Sequence, residues 1–288
     1  MRTYYRRFKK NTSLRQFATP RLVRAVKRVE VSIGDVERQF TSVRHRSKFR
    51  AVCHFGMQKT GSVWFREMFS DVRLYRYSGL PFRDCAGRKD NFQIERGIYA
   101  PIRVVTDETL GIFRLPDVVK ILVVRDPLAL LVSWVNSTEN YHVSGGSDGG
   151  MSQRRAALKK LDFEGKIDFA MDYHLSESIF EKVSASIAAA NAAQSATIIR
   201  YEDCLDQPKE VFERICREAD IKLPDAEIEA FVKEHSFESY SGRKMGGAAP
   251  RHSALQGNTR STVNQLGDKV RTRVLKHVPV ELCRLYDT

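Results

Sequence analysis

The sequence predicts an α/β fold, because three segments each read as a buried strand that runs straight into a helix. Residues 51–65, Ala-Val-Cys-His-Phe-Gly-Met-Gln-Lys-Thr-Gly-Ser-Val-Trp-Phe, are a short apolar run, a glycine-bounded loop and a helical pattern. Lys120 to Val124 is a continuous apolar run ending in Arg125-Asp126-Pro127, before the helical pattern 128–135. Ala196 to Arg200 is a third run, followed by Tyr201-Glu202-Asp203 and a helix from about Pro208 to Ala219. Short continuous apolar runs bounded by helices suit parallel strands covered on both faces.

The first segment is an anion-binding design. Backbone N–H groups around Gly56 to Ser62 can converge on an oxyanion, the following helix presents its positive end, and Lys59 adds a full charge. A Walker A loop would place lysine after the second glycine with a magnesium-binding hydroxyl beside it. Here Lys59 precedes Gly61, and Ser62 follows that glycine.

In the second segment Asp126 is a good N-cap and Pro127 a good first helical residue, which puts Arg125 at the carboxyl end of a strand, where open α/β sheets bind ligands. Ser133 lies about two turns further into the helix. A guanidinium and a hydroxyl so placed suit a phosphate group.

Charge is concentrated at one end. Residues 1–50 hold 15 of the 48 Lys and Arg but only 3 of the 35 Asp and Glu, so they carry nearly all of the net +13. Within them Leu22, Val23, Val26, Val29, Val31, Ile33, Val36 and Phe40 form a roughly helical stripe beside Arg21, Arg24, Lys27 and Arg28. That reads as a basic amphipathic helix within an arm at 1–48, ahead of one large domain at 49–288. The arm could pack on the body, or residues 1–40 could meet an anionic membrane surface. No base-reading motif appears, which counts against nucleic acid. The five cysteines lack Cys-x-x-Cys spacing, so the expectation is reduced thiols without a disulfide scaffold or zinc site. With no apolar run long enough for a membrane span or a secretory signal, the expected location is cytoplasmic, with membrane contact only at the periphery.

The order Lys59-Thr60-Gly61-Ser62-x-Trp64 resembles the phosphosulfate-binding loop of the PAPS-dependent sulfotransferases, usually Pro-Lys-Ser/Thr-Gly-Thr/Ser-Thr/Ser-Trp. Gln58 stands in the proline position and Val63 in that of the second hydroxyl, a donor whose loss costs roughly 1 kcal/mol. Arg125 with Ser133 resembles the family's 3′-phosphate segment, and Tyr201 its adenine-side element. Gly267-Asp268 resembles the late Gly-Asp, with Lys269 where tryptophan is usual. Arg243, Arg251 and Arg260 compete as the late phosphate-binding arginine, and Arg260 is preferred as the nearest before Gly267.

The resemblance implies a three-layer architecture with a mainly five-stranded parallel sheet, similar in plan to P-loop nucleotide kinases. It also implies a donor, 3′-phosphoadenosine 5′-phosphosulfate (PAPS), a product, PAP, and no metal. The acceptor would be a hydroxyl or amine, such as a carbohydrate or lipid-linked glycan. Gln58 to Trp64 would hold the donor, with Lys59 stabilising the leaving phosphate oxygen and Trp64 packing beside the adenine. No histidine lies between His54 and His142, so the usual histidine base is absent. Glu108, with Asp107 next, is the expected general base, at the end of the apolar run 102–105; His54 reads as a core residue. Two rival readings remain, a nucleotide or small-molecule kinase and a non-catalytic nucleotide-binding scaffold.

Overall fold

The computed structural model describes residues 36–85, 93–103, 105–140, 149–241, 263–264 and 266–286. Five parallel strands form one sheet: β1 (Ala51–Gly56), β2 (Phe82–Asp84), β3 (Gly97–Ile102), β4 (Val118–Val124) and β5 (Ala196–Arg200), in the order β2-β3-β1-β4-β5. The order reverses at β1, which has β3 on one side and β4 on the other. That reversal is where an open parallel sheet leaves a crevice at its carboxyl edge.

Helices cover both faces. On one side lie α1 (Ser62–Phe69), α2 (Val72–Arg76), α8 (Tyr201–Asp206), α9 (Pro208–Glu218) and α10 (Asp225–Glu234). Their Trp64, Phe65, Leu74, Phe212 and Phe231 share one apolar core with Val119, Ile121 and Val123 of β4. On the other side are α4 (Pro127–Asn140), α5 (Gly149–Leu158), α6 (Phe163–Ser176) and α7 (Ile179–Ala192), with α12 (Asp268–Leu275) and α13 (Val280–Arg284). There Leu131, Ile167, Phe180 and Val270 meet Val118, Leu122 and Val124. Alternate residues of one strand thus serve two cores, which is why the run has no polar alternation. Short α3 (Asp107–Gly111) follows β3 and α11 (Phe237–Ser241) follows α10.

The strand-to-helix joints follow their sequence signals. Asp126 Oδ1 accepts from Ala129 N at 2.6 Å, and Pro127 opens α4. Thr106 and Thr109 cap α3 reciprocally. All five cysteines are buried thiols.

Three features differ from the sequence reading. Edge strand β2 is only three residues long and carries no apolar run to betray it. The stretch 149–192, which no strand signal interrupts, forms three helices rather than one, because Asp162 caps α6 through Gly165 N and Ser178 adopts a left-handed φ of 51° ahead of α7. The stretch 102–105, expected as an apolar strand, contains Arg103 and is strand only at Ile102, so Asp107 and Glu108 lie in the first turn of α3. Residues 1–35, with most of the basic arm, and residues 141–148 lie outside the described residues. Among the described residues, no helix is long and apolar enough to cross a membrane.

Candidate active site

The loop between β1 and α1 is held open by its backbone. Lys59 has φ 69° and Gly61 φ 73°, both left-handed. At Gly61 this needs glycine for a second reason: a Cβ there would sit 2.6 Å from Tyr201 Cε2. Thr60 is fully buried and its hydroxyl donates to Met57 O at 2.8 Å, so it braces the turn from inside. Helix α1 has no acidic residue in its first turn, which leaves its positive end uncompensated. Gln58 and Val63 face outward, whereas Ser62 is 8% exposed.

Three separate segments meet at this loop. Arg125, 6% exposed, donates from Nη1 to Lys59 O at 2.5 Å. The same guanidinium lies over the Tyr201 ring, 4.6 Å from its centroid, and near Glu202 Oε1 at 3.9 Å. Tyr201 in turn backs Gly61 and meets Trp64 edge-on at 6.2 Å. The Arg125 side chain therefore bears directly on the Lys59 loop rather than standing apart from it.

Strand order explains the charge density. β3 and β4 flank β1, so the residues that leave them, Arg103 and Arg125, lie on either side of the Lys59 loop. Burial and these two cations push the Lys59 ammonium down to about 8. Arg103 is the residue that sequence reasoning missed. Its signal was available, since it leaves β3 as Arg125 leaves β4, but strand adjacency was needed to give it meaning. Arg66, nearby on α1, is already engaged by Asp84 at 2.5 Å.

The remaining expected residues fall as follows. Asp107 and Glu108 are exposed in the first turn of α3, at the same carboxyl edge of the sheet as Lys59. Ser133 is half-buried on α4. Tyr201, expected on the adenine side, is 7% exposed with Arg125 over its ring. Trp64, expected beside the adenine, is 2% exposed and donates its indole N–H to His235 O at 2.6 Å. Both rings support the loop from beneath in this arrangement. His54 is fully buried against Phe65, their centroids 4.7 Å apart, and burial with nearby Arg103 pushes it down to about 3. It is a neutral core residue.

Arg243, Arg251 and Arg260 lie outside the described residues. The chain that follows them is pinned, however: Arg271 donates to Leu266 O at 3.1 Å and Val263 O at 2.6 Å, and Gly267 caps α12. The Arg271 charge also bears on Asp126, so the first turn of α12 lies near the start of α4. Among the described residues, no three His, Cys, Asp or Glu side chains gather into a metal-binding group.

The sulfotransferase domain family model matches residues 112–270, more than half of the chain, and the chain belongs to that family. The mouse sulfotransferase SULT7A1, solved in complex with PAP, is similar in fold: 14% identity, TM-score 0.50, 86% of this chain and 90% of that one covered. Retinol dehydratase, solved with androsterone and the inactive cofactor PAP, gives 14% identity, TM-score 0.47 and 78% coverage of each chain. A sulfotransferase domain from the curacin biosynthetic pathway gives 12%, 0.43, and coverage of 81% and 100%. No curated protein matches at the sequence level. At these identities the likeness to solved structures concerns the fold.

Proposed function

We propose that this protein transfers a sulfuryl group from PAPS to a hydroxyl or amine acceptor, such as a carbohydrate or lipid-linked glycan. The observation that carries the reading is the crowding of cations on one loop. Arg103 and Arg125 both act on Lys59, and the helix end beside it lacks an acid. A site that gathers positive charge at a cost to its own lysine is organised for an anion.

The residues present fit such a donor. The left-handed Lys59 and Gly61 turn the backbone outward at the mouth of α1, where the amides of Gly61 to Val63 would take the 5′-phosphosulfate oxygens. PAPS brings an activated sulfuryl group, so the protein's contribution is positioning and charge stabilisation. The Lys59 ammonium would stabilise charge growing on the bridging oxygen of the leaving phosphate, with Arg103 strengthening the local field. Arg125, fixed against the loop backbone, with Ser133 and Arg260, would take the 3′-phosphate. Thr60, Trp64 and Tyr201 would hold the loop in shape, and Trp64 and Tyr201 would border the adenine. Glu108, with Asp107 as its neighbour, would accept the acceptor's proton from the first turn of α3.

The test is transfer from sulfur-labelled PAPS to pooled hydroxyl and amine acceptors. Wild-type protein is expected to label at least one pool, and Lys59→Ala to lower the rate about a hundredfold or more. Labelling that is equal in the variant, or absent throughout, contradicts the reading.

A further inference from the structure

The guanidinium of Arg125 is braced by the Lys59 carbonyl and the Tyr201 ring, and it also has acids for neighbours. Two carboxylates bear on its charge, those of Asp126 and Glu202. A carboxylate in full contact with it would cancel the charge that a bound anion needs. Each is instead engaged by other donors. Asp126 serves the start of α4, where its Oδ1 accepts from Ala129 N at 2.6 Å. Glu202, in the first turn of α8, has its Oε1 3.9 Å from Arg125 Nε, beyond hydrogen-bond reach of that nitrogen.

Tyr286 is the partner that holds Glu202 there. Its hydroxyl donates to Glu202 Oε2 at 2.9 Å, and Asp126 N reaches Oε1 at 3.4 Å. Burial and the neighbouring carboxylate push the Tyr286 phenol well above its usual range, so it keeps its proton and serves as a donor. The tyrosine is itself fixed. It follows α13, whose Leu282 and Cys283 are buried and whose Glu281 accepts from Ser184 Oγ of α7 at 3.2 Å. Arg200, at the end of β5 and paired with Asp203, donates to Leu285 O at 3.3 Å and lies 5.8 Å from the centroid of the Tyr286 ring. A docked segment 84 positions along the chain from Glu202 thus reaches back to the carboxylate beside Arg125.

We propose that Tyr286 sets the selectivity of the site for a nucleotide bearing a 3′-phosphate, by tying Glu202 back from Arg125. The inference rests on the donor reading above, in which Arg125 takes that phosphate. With the hydroxyl in place, Glu202 steadies Arg125 from the Nε side without closing on it, and the guanidinium meets the phosphate as a full cation. Without the hydroxyl, a buried carboxylate short of one donor would close on Arg125 and compete with the phosphate. Tyr286 is a positioning residue: it acts through Glu202 and need not touch the nucleotide.

Titration calorimetry with PAP and 5′-AMP tests this in three variants. Each keeps the shape of the side chain it replaces, so the fold should be retained, which melting curves check. Tyr286→Phe removes only the hydroxyl, and its PAP affinity should fall about fivefold or more while its 5′-AMP affinity stays level. Glu202→Gln removes the competing charge and should bind PAP at least as tightly as wild type. The double variant, Tyr286→Phe with Glu202→Gln, should recover the wild-type preference for PAP, a repair that a merely structural role for Tyr286 would not give. An unchanged preference in Tyr286→Phe overturns the proposal. So does a loss that Glu202→Gln fails to repair, an equal loss for both ligands, or weaker PAP binding in Glu202→Gln alone. A wild-type chain that binds no PAP overturns the donor reading and this proposal with it, whereas a PAP preference shared by wild type and Tyr286→Phe overturns this proposal alone.

Discussion

Lys59 is a lysine placed where its proton is loosely held. Burial and the flanking Arg125 and Arg103 bring it to about 8, and a bound anion would draw the proton back. The sign follows: below pH 8 the ammonium is already formed, and above it each binding event must also take up a proton. The affinity for PAP should therefore be level below about pH 8 and fall above it, as titration calorimetry across that range would record. Lys59→Arg, whose guanidinium keeps its proton, should flatten the decline. A wild-type affinity that stays level above pH 8 would remove Lys59 from the site. Gly61 makes a complementary prediction. Its φ of 73° and the 2.6 Å approach of Tyr201 should make Gly61→Ala cost about 1–3 kcal/mol in urea unfolding. Lys59 and Arg125 were legible in the sequence because each sits in a strand-loop-helix pattern with a physical purpose. Arg103 was not, because nothing in the order of residues says that β3 lies beside β1. The inward turn of Thr60 was equally hidden, being a matter of one hydroxyl reaching Met57 O.

At the scale of elements, the platform behind the loop rests on a buried polar junction. Asp71 caps α2 through Arg73 N at 2.9 Å and takes a second bond, also 2.9 Å, from His235 Nε2 at the end of α10. His235 O receives the Trp64 indole, which joins α10 to α1. Burial alone would raise the Asp71 carboxyl, but the bonds from His235 and Arg73 hold it well below the usual carboxylate range. Its stabilising effect is therefore present above about pH 4 and is lost as acid protonates it. Asp71→Ala should lower stability by about 3 kcal/mol at neutral pH, since it strands a buried histidine and arginine, and the variant should lose less on acidification than wild type. Equal urea midpoints for the two proteins would show that the junction is not holding the platform. The helices α4 and α9 were legible from their Pro and Asp starts. The break between α6 and α7 was not, because it depends on Ser178 taking a left-handed conformation that its sequence does not announce.

At the scale of the molecule, one topological fact organises the site. Reversal of strand order at β1 brings the residues that follow β1, β3 and β4 to a common edge, and each contributes a cation there. The α/β class could be read from the sequence because apolar runs without polar alternation require cover on both faces. Strand order and the edge strand β2 could not, since they depend on packing between distant segments. The same arrangement sends the basic arm from the amino end of the sheet and the chemistry to the carboxyl end.

Titration calorimetry of the wild-type chain with PAP and with 5′-AMP tests the central claim most directly, because the two ligands differ in the 3′-phosphate assigned to Arg125. The account predicts one PAP per chain, bound about tenfold or more tighter than 5′-AMP, the ~1.5–3 kcal/mol of a charge-assisted contact. That preference should disappear in Arg125→Ala. Equal affinity for the two ligands, or no binding of PAP, would contradict it.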